Sequence, residues 1–154
     1  MYKLKSSLSF NLEKSFFMEK ISRNQENFII MTVIYDELTD FTAGNGSFRD
    51  VNDIILQITD IPLKEHSDYV QNTIANVLMH YGEIVSAFQP HLRDWVWDRL
   101  PLLTRAVLLM SYAHFYFVEK IDKRIVINVA VELGKKYIEE KQAKFINAIL
   151  DEVL

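Results

Sequence analysis

The apolar positions of this chain recur at helical spacing over most of its length. Val51, Ile54, Ile55 and Ile58 fall at i, i+3, i+4 and i+7, which predicts an amphipathic helix that starts after Ser47 and is closed by Pro62. Val70, Ile74, Val77, Leu78, Tyr81, Ile84, Val85 and Phe88 keep the period and predict one long helix from about residue 65 to residue 92. Upstream, Phe28, Ile29, Met31, Ile34, Tyr35 and Leu38 lie broadly on one side of another helix. Its start is marked by Ser22-Arg23-Asn24-Gln25, in which a Ser hydroxyl and a Gln three residues on can satisfy each other's backbone N–H. Its end is marked by the loop Thr42-Ala43-Gly44-Asn45-Gly46.

One stretch departs from this one-sided pattern. In Pro101–Val118, thirteen of eighteen positions are Leu, Ala, Val, Met, Tyr or Phe, and they point in every direction of a helix. Such a helix must be covered on all sides. The uninterrupted apolar part, from Ala106 to Val118, is shorter than the roughly 20 residues of a membrane span, and Arg105 and His114 sit inside or beside it. It is therefore expected to be a central core helix, with Pro101 in its first turn.

Residues 125–131, IVINVAV, pose the opposite problem: their β-branched side chains favour a strand. No other convincing strand exists to pair with them, and a lone strand is unstable. Asp122 as cap and the pair Glu132 and Lys136 at i, i+4 favour a helix through Tyr137. A last helix, from about Lys141 to Val153, turns Ile146, Ile149, Leu150 and Val153 inward. Residues 1–21 are read as an arm with a short helix from about Leu12.

Composition narrows the class. With 154 residues the chain can build a core of its own, and its four Gly and three Pro suit long helices rather than a many-turned β-fold. The absence of cysteine excludes disulfides and thiolate metal sites and favours a reducing, cytoplasmic setting. No signal peptide is read at the N-terminus. The net charge of −4 is unevenly spread. Residues 1–25 carry five cations against two acids, net +3; residues 26–60 carry one against seven, net −6; residues 119–144 carry seven against five, net +2. A polyanion must approach by the N-terminal arm or the late basic segment.

Little points to catalysis. His66, His80, His91 and His114 have no ligand-like spacing, and no phosphate loop or nucleophile motif occurs. His114 reads as a satisfied core histidine, and Asn128 and Asn147 as hydrogen-bonding groups that fix helix packing. No enzymatic activity, metal or cofactor is expected.

The C-terminal third carries a resemblance. RLPLLTRAVLLMSYAHF, RIVINVAVELGKKY and AKFINAILDEVL are similar to the closing helices of the NusB family of bacterial transcription antitermination factors. Arg105, Ala106, Asn128, Ala130, Glu132, Leu133, Lys135, Tyr137, Lys144, Phe145, Asn147, Leu150 and Asp151 fall in register with that pattern. The resemblance implies an all-α helical bundle: a single NusB-like domain of two packed subdomains, 22–92 and 93–154, preceded by the arm 1–21. It further implies binding of single-stranded boxA-type RNA together with the ribosomal protein NusE, without membrane association, and leaves a homodimer open. The family's arginine-rich first helix is represented here by Arg23, Asn24, Gln25 and Asn27, of which Arg23 alone keeps the charge. RNA binding is therefore expected to be weak for the chain alone. The expected surface comprises Arg23, Asn24, Asn27, Tyr35, Lys141, Lys144 and Phe145. The alternative function is a protein-interaction module of this fold that has lost RNA binding.

Overall fold

The computed structural model describes residues 21–154. The arm expected at the N-terminus, with its short helix, lies outside the described residues up to position 20. Among the described residues the regular structure is entirely helical. Two compact units divide the chain, one ending at Gln71 and the other beginning at Asn72.

In the first unit, α1 spans Arg23–Asp40 and starts as expected. The Ser22 hydroxyl accepts the Gln25 backbone N–H at 3.1 Å, and the Gln25 side chain accepts the Ser22 N–H at 2.7 Å. Burial is not confined to one side: every residue from Ile29 to Ile34 is buried, so α1 meets the all-round criterion that the sequence suggested for 101–118 alone. A wide π-type turn, Phe41–Asn45, ends it.

Helix α2, Val51–Thr59, starts after Ser47 as expected, and Asp50 caps it, accepting the Asn52 N–H at 2.8 Å. Its end is set by Asp60, in the left-handed conformation at φ 60°, two residues before Pro62. Ile54, Ile55 and Ile58 are buried as their spacing requires.

The long helix expected over 65–92 is instead two. A single 3-10 turn at Leu63–Glu65 precedes α3, Asp68–Met79, and α4 is Tyr81–Phe88. The break falls at His80, whose φ of −108° and ψ of 19° leave the helical region. Gly82, two residues on, weakens helix continuation without any proline to announce it.

In the second unit, α5 is Leu102–Ala113, with Pro101 just before the first turn as its cap rather than inside it. Thr104 to Ser111 are all buried, and α4, α6 and α7 pack around the helix. A π-type turn, His114–Val118, closes it. There the buried His114 Nε2 meets Glu119 Oε1 at 2.7 Å, the satisfied histidine that the sequence suggested.

Helix α6, Lys123–Tyr137, takes in the whole β-branched run, and the Asp122 carboxylate accepts the Arg124 N–H at 2.8 Å. Helix α7, Glu140–Val153, packs along it. The two helices come close at Gly134, where a Cβ would stand 3.1 Å from Ala143 Cα. Val126, Ile127 and Ala130 are buried, as are Ala143, Ile146, Ile149 and Leu150. Asn128 and Asn147 are both exposed, so neither fixes helix packing.

Candidate nucleic-acid interface

The expected RNA-binding residues fall into two sets, one in each unit. On the first turns of α1, Arg23 and Asn24 are exposed and Asn27 is buried, while Tyr35, in the C-terminal half of the helix, is half-buried. The Arg23 guanidinium lies 3.7 Å from the centre of the Tyr69 ring, and its Nε is 3.4 Å from Glu26 Oε1. The Tyr69 hydroxyl in turn donates to the side-chain oxygen of Asn27, and the Ser67 hydroxyl donates to Glu26 Oε2. Asn27 thus faces the interior and fixes the ring on which Arg23 rests. Because Arg23 is held by an aromatic face and by an acid, its rotamers are restricted and its charge is partly offset before any ligand arrives.

On α7, Lys141, Lys144 and Phe145 stand at i, i+3 and i+4, so they share one helical face. Both lysines are exposed and Phe145 is half-buried, its ring neither fully withdrawn nor fully offered. The neighbouring side of the helix faces α5: the Thr104 hydroxyl donates to Gln142 Oε1 at 2.8 Å, which fixes the rotation of α7 and with it the outward direction of the lysines. The last turn of α6 adds the exposed Lys135 and Lys136, the latter 5.4 Å from the centre of the Tyr137 ring. The cations suit phosphate oxygens and the ring suits a base, which is the chemistry of a single-stranded nucleic-acid site.

Several supporting residues were missed from sequence. Tyr69 is 42 residues from Asn27, and no local spacing signals such a pairing. Ser67 could have been read as a helix-capping residue, which it is (its hydroxyl accepts the Val70 N–H at 3.2 Å), but not as a partner of Glu26. Among the described residues no group of three or more His, Cys, Asp or Glu could hold a metal ion, and no helix is long and apolar enough to cross a membrane.

The NusB family model matches residues 32–154. The chain belongs to the NusB family. Transcription antitermination protein NusB of Sulfurimonas denitrificans is 31% identical over 132 residues, covering 86% of this chain and 96% of that protein. The NusB of Listeria monocytogenes is 30% identical over 93 residues, 60% of this chain and 73% of its own length. Among solved structures, T. maritima NusB superposes with a TM-score of 0.72 at 21% identity, over 87% of this chain and 91% of that one. A chain from the crystal structure of antitermination factors NusB and NusE in complex with double-stranded RNA gives a TM-score of 0.67 at 24% identity, over 85% and 94%. These likenesses show that the NusB-family helical fold extends beyond the C-terminal third in which the sequence resembled it.

Proposed function

We propose that this protein is an RNA-binding transcription antitermination factor that acts with a NusE-type ribosomal protein on boxA-type RNA. The observation that carries the reading is membership of the NusB family over residues 32–154, with relatives named as antitermination proteins. In this reading Arg23, Lys141 and Lys144 contact phosphates, Asn24 and Tyr35 offer polar groups to bases, and Phe145 stacks. Asn27 contributes by holding Tyr69 beneath Arg23. With three phosphate-binding cations, the salt slope on single strands is about −2, at about 0.7 per contact. RNA binding through these residues is weak for the chain alone and gains affinity when a protein partner adds contacts.

The test is titration of a labelled boxA-type RNA over a salt series, with and without NusE. The expected result is weak, salt-sensitive binding that tightens when NusE is present. Absence of binding at low salt even with NusE would overturn the reading in favour of a protein-interaction module. Catalysis has no part in this function, which rests on positioning an RNA and a protein together.

A further inference from the structure

Glu37 is fully buried near the C-terminal end of α1. Its Oε1 accepts the Arg49 backbone N–H at 2.7 Å, while Oε2 is buried with no hydrogen-bond partner among the described residues. Arg49 lies on the connection between α1 and α2, and its guanidinium reaches back to Asp40 at 3.0 Å. The connection is thus fastened to α1 at two nearby points, one buried and one exposed. Between them the backbone turns through Gly44 at φ 124° and Gly46 at φ 60°, and the Phe41 ring stacks on Phe48 at 4.8 Å.

A buried carboxylate with one bare oxygen is stable when neutral, or when water reaches it. The charged groups that act on Glu37 are Asp40 on its own helix and Arg49 and Asp50 on the connection. Burial pushes the carboxyl up most strongly; the Arg49 N–H and guanidinium pull it down, and Asp40 and Asp50 oppose them. The outcome is a pKa of about 7 in place of 4.5.

We propose that Glu37 is a proton-operated latch on the α1–α2 connection. Protonated, it holds the connection against α1; ionised, its bare oxygen draws in water and the connection loosens. The sign follows from the raised pKa: the closed form is favoured at low pH, and that advantage is lost as pH rises through about 7. With an open form that titrates at the ordinary 4.5, the open fraction rises about tenfold between about pH 6 and about pH 8. The latch is independent of RNA binding and can be tested on the protein alone.

The experiment is hydrogen exchange at the Arg49 amide, corrected for its intrinsic pH dependence, in the wild type and in Glu37→Gln, together with a carbon-13 titration of the wild-type Glu37 carboxyl. The Gln side chain keeps the acceptor for Arg49 and removes the proton equilibrium. The expected results are a carboxyl that titrates near neutrality, Arg49 exchange that rises about tenfold over that interval in the wild type, and a flat profile in the variant. A carboxyl that titrates in the ordinary glutamate range overturns the proposal, as does an Arg49 amide with the same pH profile in both proteins. The wild-type titration decides the matter even where the variant does not fold.

Discussion

Gly134 and Ala143 bring the backbones of α6 and α7 so close that a Cβ on Gly134 would stand 3.1 Å from Ala143 Cα and 3.2 Å from Ala143 Cβ. The position is helical, so glycine there gives up about 1 kcal/mol of helix propensity in exchange for the approach. Gly134→Ala sets that propensity gain against a shift of a few tenths of an ångström and is expected to be near neutral. Gly134→Val adds branches that the facing helix cannot accommodate and should cost about 1–3 kcal/mol. Denaturant melts of the two variants check this; a fully stable Val variant would show that the helices are not locked at this point.

Phe145 is expected to act at the RNA surface more than in the core, since it is half-buried on the same face as Lys141 and Lys144. Phe145→Ala should weaken RNA binding by about 1–3 kcal/mol if the ring stacks on a base. The folding cost should fall short of the roughly 3–5 kcal/mol of a fully buried ring. Melting and RNA titration of the same variant separate the two effects. Unchanged affinity in a stable protein removes Phe145 from the site.

The Tyr69 hydroxyl tests the support beneath Arg23. Tyr69→Phe keeps the ring on which the guanidinium rests but leaves the buried Asn27 oxygen without that donor, an expected loss of about 1–3 kcal/mol of stability. RNA affinity should change less than in Arg23→Ala, because the charge and its platform remain. A Phe variant as stable as the wild type would mean that Asn27 finds another donor.

Asp122 supplies a pH signature at the acid end. Hydrogen bonds from the Arg124 side chain and backbone hold its carboxyl at about 2, below the usual 3.8. A depressed pKa contributes stability that is present above 3.8 and lost as pH falls toward 2. Asp122→Ala should therefore be less stable than the wild type at neutral pH, and the gap should narrow through that acid window. A gap that stays constant down to the low end would show that the cap contributes nothing through its charge.

The parts of the fold that were legible in sequence were those with local causes. Ser22 and Gln25 announce α1, and Asp122 announces α6 despite the β-branched run, because a cap and its N–H groups lie within three residues of each other. The break at His80 was not legible: apolar spacing continues through it, and nothing stronger than Gly82 marks it. Asn128 and Asn147 misled in the opposite direction. Their apolar sequence neighbours suggest burial, yet the helical period turns both outward while Val126, Ile127 and Ile146 turn in. Of the residues expected at the candidate site, Arg23 and the α7 lysines are exposed, as a surface role requires. The burial of Asn27 is not legible in sequence, because its partner, Tyr69, lies 42 residues away.

Arg105 is buried, and its guanidinium is held by backbone carbonyls: Nε donates to that of Leu100 at 2.8 Å and Nη2 to that of Asp98 at 3.0 Å. Every residue type carries a backbone carbonyl, so this contact places no demand on the side chain at position 98, which is exposed. It does demand a forked donor at position 105, where lysine offers a single nitrogen. Substitution should therefore be asymmetric: a saturation library will accept many residues at 98 and almost none but arginine at 105, although the two positions share one hydrogen bond.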